Sequence, residues 1–307
     1  MQVRTQFTDT FLETMLPALR AITMGRYKKF PEQYSQVFNV QDSNRDIEQD
    51  TGVTGFGLMP VVAEAEKITY DQVLQGFDKT YRHIDFGLGY LVSHQMVRGD
   101  KFGLIRKMAL ELGKTAAITV ETEAVSDFNN GFSTSFLGPD GKPLFSATHP
   151  NVGGGSQRNL ASPAVDLDIP SLESAVTDMR STTDDRNKLV MIPPQKLIVG
   201  PSLQFLAATI LGGTERSDTA NRALNAFKLQ SDYGRLDKWF VWDYLSDPDA
   251  WFVAADGADT SLNFFWYERF NTINDLDFDT RGTKTGGWQA FSHGWSDWRG
   301  LWGSAGA

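Results

Sequence analysis

The chain has 307 residues, a net charge of −9 and no cysteine. That length suffices for one large core or two moderate ones. The missing thiols exclude disulfides, thiolate metal sites and cysteine nucleophiles, and the acidic balance argues against a surface that wraps nucleic acid over most of its area. No apolar run approaches the eighteen residues of a membrane-spanning helix.

Residues 7–22 place Phe7, Phe11, Leu12, Met15, Leu19 and Ile22 on a helical stripe, which Pro17 kinks or divides into two short helices. The stripe lacks the continuous apolar core of a signal peptide. Residues 1–30 carry Arg4, Arg20, Arg26, Lys28 and Lys29 against Asp9 and Glu13, a basic arm on an acidic body. Residues 41–100 are polar and glycine-rich, with a turn near Tyr70 and Asp71 before an alternating strand pattern. This predicts a long, thin hairpin or extended loop with little core of its own, a shape that is marginal unless something binds it.

Residues 102–130 form the longest predicted helix, with Phe102, Ile105, Ala109, Leu112 and Ala116 at spacings of three and four. Asp100 is its expected N-cap and Gly131 its stop. A strand–turn–strand is expected over 132–150, around Gly138-Pro139-Asp140-Gly141. A Gly/Ser/Pro-rich loop follows, then an amphipathic helix from about Ser171 carrying Leu172, Val176 and Met179, an Asp184-Asp185-Arg186 turn, the buried strand of 196–199 and a helix opened by Pro201. Further strands are expected at 239–242 and 250–254. Two long strands, turned at Arg281-Gly282, return to the long helix. All eight tryptophans lie between Trp239 and Trp302, which points to a differently packed C-terminal sub-structure or to a single aromatic core.

No constellation carries a strong catalytic signal. Ser146 and His149 sit beside Asn151 and a glycine run, but no Gly-x-Ser-x-Gly turn surrounds Ser146, so a hydrolase site there is the alternative reading and a structural His149 the main one. Gly52 to Gly57 and the Gly153-Gly154-Gly155 run lack the spacing of phosphate-binding loops. Asp275, Asp277 and Asp279 resemble a calcium loop, but Thr280 and Gly286 occupy the positions that such a loop gives to Gly and Glu. His83, His94, His149 and His293 show no metal spacing. Catalytic, cofactor-binding and metal residues are therefore all read as none.

The stretch 144–211, with its Ser-x-x-His-Pro turn, glycine run, helix, Asp-Asp-Arg turn and apolar LVMIPPQKLIV run, resembles the major capsid (head) proteins of tailed bacteriophages, most closely the Mu-like prophage major head subunits. Asp247-Pro248-Asp249-Ala250-Trp251-Phe252 and Gly294-Trp295-Ser296-Asp297-Trp298-Arg299-Gly300 carry the same resemblance. The resemblance implies an α+β tailed-phage capsid fold of the HK-ninety-seven type: an N-terminal arm and helix over 1–44, an extension-loop hairpin over 45–92, a peripheral domain with the long spine helix over 93–140 plus 255–307, and an axial domain over 141–254. It implies that the protein is not an enzyme. Its partners would be copies of itself, in pentamers and hexamers of an icosahedral shell. Portal and scaffolding proteins, a decoration protein and genomic DNA, touched non-specifically on the inner face, are further expected partners, with no cofactor and no membrane. Its place would be the virion head, assembled in the host bacterial cytoplasm. The Asp184-Asp185-Arg186 turn would lie near the symmetry axes, either solvated or in an intersubunit salt bridge. The basic arm would suit a surface facing DNA, although a solvated helix end accounts for it equally. No long charged helix resembles a fused scaffold, so a separate scaffolding protein is expected, or such a segment lies outside this sequence. No motif matches a Lys–Asn crosslink. Another virion structural protein is the remaining alternative.

Overall fold

The computed structural model describes residues 15–93, 95, 96, 99, 102–213, 225, 227, 236, 238–277 and 282–307. Its elements run α1 (Leu16–Lys28), β1 (Asn39–Asp42), β2 (Ile47–Val53), β3 (Gln75–Arg82), β4 (Ile84–Val92), α2 (Phe102–Asn129), β5 (His149–Pro150), β6 (Ser156–Gln157), α3 (Ile169–Arg180), β7 (Pro194–Val199), α4 (Gln204–Gly212), β8 (Lys238–Val241), β9 (Trp251–Ala255), β10 (Leu262–Asp277), β11 (Gly282–Trp295) and β12 (Leu301–Ser304). Phe7, Phe11, Leu12, Arg4, His94, the Asp100 cap, Asp279, Thr280 and Arg281 lie outside the described residues.

Two four-stranded sheets organise the molecule. The first has the order β1-β10-β11-β4, the second β12-β9-β7-β8. β10 and β11 form the long antiparallel pair expected from their patterns. Between the sheets lies the C-terminal half of α2. Val120, Ala124, Val125 and Phe128 pack there with Phe264, Trp266 and Phe291 from the first sheet and Ile198, Phe240 and Phe252 from the second. β9 and β12 of the second sheet are buried on both faces, and the side chains of β9 alternate between two cores. Phe252 and Ala254 point into that shared core, while Trp251, Val253 and Ala255 point to a second core, closed by Leu172, Val176 and Met179 of α3 and Ala207, Ile210 and Leu211 of α4.

Local chemistry explains the helix bounds. Asp168 and Ser171 form a reciprocal cap on α3: Asp168 Oδ1 accepts from Ser171 N at 2.7 Å and Ser171 Oγ from Asp168 N at 2.9 Å, so the helix begins two residues before the sequence places it. α1 crosses α2 at Gly113, where an added Cβ would overlap the Thr23 carbonyl oxygen and lie 3.3 Å from Arg26 Cβ. Only glycine allows the two helix backbones to approach so closely.

Three expectations are corrected by packing. Residues 132–148 form turns rather than a strand–turn–strand, with Gly138 N donating to Lys142 O and Phe145 N to Gly131 O, because the segment fills the space beside the end of α2. The last strand, β12, pairs with β9 in the second sheet, so the segment 255–307 is split between the two sheets instead of returning whole to the long helix. The tryptophans form no sub-structure of their own: Trp242, Trp266 and Trp295 lie in the shared core, and Trp251 and Trp302 in the second one.

Candidate functional site

Two features stand apart from the cores. The first is the hairpin of β2 and β3, paired from Ile47–Arg82 to Val53–Gln75. Its tip, 54–74, has no regular ladder and leaves apolar side chains in solvent: Met59 is 97% exposed, Val61 98% and Tyr70 93%. An apolar group so exposed contributes nothing to folding; a series of them marks a surface to be covered. A second apolar area lies on the face of the first sheet away from α2. There Leu91, Ile273 and the 42%-exposed Trp288 surround Gly87, Gly89 and Gly286, the indole resting close to Gly87 and Gly286.

The second feature is a polar junction at the Asp184-Asp185-Arg186 turn. Asp184 Oδ1 accepts from the amides of Arg186 and Lys188, both at 2.8 Å, and Asp184 pairs with Lys188 at 3.0 Å. Burial alone would raise the Asp184 pKa, but these donors lower it. Asp185 accepts from Arg299 Nη2 at 3.0 Å and from Val152 N at 3.2 Å. Arg299 also donates to Thr183 O, Asn151 Oδ1 and Asp297, and its guanidinium lies 4.9 Å over the Trp298 ring. Arg186 pairs with Asp71 at 2.5 Å and donates to Gln72 O, which ties the hairpin tip to the turn. Asp71 in turn accepts from Gly57 N at 2.7 Å. None of the three residues is simply solvated. The junction also explains Gly153, because a Cβ there would overlap the Asp185 carbonyl oxygen.

His149 is a structural residue of the same region. It is fully buried, with Nδ1 2.5 Å from Asp140 Oδ2 and Nε2 3.0 Å from Asn159 Oδ1, and its ring stacks on Trp298 at 4.5 Å. Asn159 is oriented by Ser146 N and Leu144 O, and Ser146 Oγ accepts from Thr148 N. Both imidazole nitrogens are thus engaged away from the Ser146 hydroxyl, so His149 does not offer it a general base. Of the other histidines, His293 pairs with Asp127 at 2.9 Å and His83 lies 3.1 Å from Ser292 Oγ. Asp275 and Asp277 lie on β10 rather than on a loop.

Sequence reasoning singled out the Asp-Asp-Arg turn and the C-terminal Trp-Ser-Asp-Trp-Arg motif separately. What it missed is that they meet. The two stretches are more than a hundred residues apart, and no local pattern links Asp185 to Arg299.

Comparison with known proteins agrees with this geometry. The family model described as "Phage capsid protein" matches residues 77–303. No curated protein sequence matches the chain at a significant level. Among solved structures, the fold is similar to the capsid of Myoviridae phage XM1, with a TM-score of 0.54 at 7% identity, covering 91% of this chain and 93% of that one. A virus-like particle from Pyrococcus furiosus gives a TM-score of 0.51 at 10% identity, covering 94% and 98%. The capsid of bacteriophage JBD30, decorated with minor capsid protein trimers, gives 0.52 at 14%, covering 70% and 92%.

Proposed function

This chain belongs to the phage capsid protein family, and from that premise we propose how its surfaces build a shell. As a member of that family it is a structural protein of the phage head, not an enzyme, with the tailed-phage capsid fold, and it assembles with copies of itself. In our reading it is the major head subunit, of the Mu-like type, gathered into hexamers and pentamers that close an icosahedral shell around double-stranded DNA. The hairpin 45–92 serves as the extension loop, α2 as the spine of a peripheral domain, and the second sheet with α3 and α4 as the centre of an axial domain. Assembly would take place in the host bacterial cytoplasm with portal and scaffolding proteins. A decoration protein on the finished shell is the further partner that the JBD30 relative suggests.

The observation that carries the reading is the hairpin tip, whose apolar side chains find no cover within the subunit. A neighbouring copy supplies that cover at an interface of roughly 2,000 Å² or more, the size of obligate assemblies. The test replaces residues 54–74 by a short glycine turn. The subunit should keep its circular dichroism and thermal transition, because the tip adds nothing to either core, but electron microscopy should show no closed shells. Shells at the yield of the unmodified protein would refute the role given to the hairpin.

A further inference from the structure

We propose that the contact of Arg186 with Asp71 and Gln72 is an autoinhibitory latch, which holds the apolar hairpin tip against the subunit's own Asp184-Asp185-Arg186 turn until a neighbouring copy takes the tip over. The inference rests on the capsid reading and adds to it what restrains the tip before assembly.

The hairpin is fastened to the body at two places, with a gap between them. At its base Tyr81 is buried, its hydroxyl lies 2.7 Å from Ser296 Oγ, and Lys79 Nζ rests 5.2 Å over the Trp295 ring. Near the tip, Arg186 Nη1 donates to Asp71 Oδ2 at 2.5 Å and Nη2 donates to Gln72 O. Asp71 also accepts from Gly57 N at 2.7 Å, so the one guanidinium restrains both arms of the tip. Between the two fastenings, Asp50, Gly52, Gly76 and Phe77 stand over a cleft of about 200 Å³ whose other wall includes Trp298 and Arg299. The same stretch is where the ladder can bend. The pairing of β2 with β3 shifts register between Thr51 and Val53. Gly52 and Gly76 meet there: a Cβ on Gly52 would lie 2.8 Å from Phe77 O, and one on Gly76 3.0 Å from the Gly52 carbonyl. A bulge that carries two glycines is a hinge, with the rungs from Ile47–Arg82 to Thr51–Asp78 on its base side and the Thr54–Leu74 pair on its tip side.

The turn itself does not account for Arg186. Asp184 accepts from the amides of the turn and Asp185 from Arg299, whereas among the described residues both side-chain hydrogen bonds of Arg186 go to the hairpin. The latch is also able to yield. The Asp71 side chain is 43% exposed and that of Arg186 20%, and an ion pair with so much water around it is weak. Covering Leu58, Met59, Val61, Ile68 and Tyr70 gains more, because that gain scales with the apolar area removed from water. A neighbour that covers the tip therefore shifts an equilibrium between a latched and a released hairpin, and without a neighbour the latched state prevails.

The experiment follows shell formation by light scattering for the full chain, for Arg186→Gln, for Asp71→Asn and for the two changes together. Each single variant should raise the initial rate several-fold, and the double variant should add nothing, because both changes break one contact. A second measurement uses Asp71→Cys/Arg186→Cys. The chain has no cysteine of its own, so a short, reducible bis-methanethiosulfonate linker joins only these two thiols. The linked protein should run as a monomer on a non-reducing gel and form no shells. After reduction it should form them at the rate of Arg186→Gln, which also shows that the linked chain was folded. If the cysteine pair fails to fold, the rates of the single variants decide. Rates at or below that of the unmodified chain, shells from the linked monomer, or thiols that link only between copies each overturn the latch. Electron microscopy keeps the two readings apart. Shells at one rate from every variant overturn only this inference, while no shells from the unmodified chain would overturn the capsid reading.

Discussion

Several separate contacts converge on Arg299, since one guanidinium donates to Thr183 O, Asn151, Asp185 and Asp297. Burial alone would lower its pKa, but Asp297 and Asp185 hold it above the ordinary value. Its side chain is only 11% exposed, so Arg299→Ala leaves Asp185 unpaired in a largely desolvated site and should cost about 3–5 kcal/mol. Urea denaturation checks this; a loss below about 1 kcal/mol would place the pair among surface ion pairs. His293 gives a pH dependence. Burial lowers its pKa, but the Asp127 carboxylate 2.9 Å away outweighs that, and the net shift is upward from 6.5. The folded state therefore holds the proton more tightly than the unfolded chain. The resulting stability is complete below about pH 6.5 and is lost as pH rises through the folded value. The thermal midpoint should decline across that window, and the decline should vanish in His293→Gln. A wild-type curve that is flat there would contradict the assignment. Glu121 is also raised, by burial first, against the amides of Gln33 and Tyr34. The sign is the same, and that window starts near 4.5.

At the scale of elements, α1 is held by how closely it approaches α2. Leu16 and Leu19 pack with Ile105 and Ala109, and the crossing closes at Gly113. Gly113→Ala should separate the helices and lower stability by about 1–3 kcal/mol. Gly25→Ala, on α1 with nothing within 4 Å of the added Cβ, should instead raise it by roughly 0.5–1 kcal/mol. Denaturation of the two single variants decides; equal effects would mean that the crossing is not what glycine serves. The hairpin is the opposite kind of element, a ladder without a core. It is tied to the body near its tip by Arg186, Asp71 and Gln72.

For the whole molecule, the second sheet is the shared wall between the two cores. Adjacent residues of β9 serve different cores, Phe252 one and Val253 the other, so neither core can open without exposing the other. Calorimetry of the isolated subunit should show one cooperative transition. Two resolved transitions would mean that the helices α3 and α4 and their core unfold independently of the first sheet.

Periodicity alone determined the elements that pack by pattern. The 102–130 stripe predicts α2 to within a residue, and the two long strand-like stretches expected on either side of Arg281-Gly282 are the pair β10 and β11; the hairpin is expected from a polar, glycine-rich texture, whereas its tip exposes apolar side chains such as Met59, Val61 and Tyr70. The resemblance of 144–211 and 294–300 pointed to the family that the match over 77–303 shows. What sequence could not contain was the destination of segments whose partners are remote. β12 is four residues long and pairs with β9, with Leu301 in the shared core and Trp302 in the second one. The loop 132–148 has a turn signal and strand-like residues, but its space is already bounded by α2 and Phe252. Asp185 and Arg299 carry no local sign of each other. Local propensity acts over a few residues, whereas sheet order, buried ion pairs and the splitting of the C-terminal segment are settled by which surfaces meet when the chain closes, and only the tertiary structure decided those.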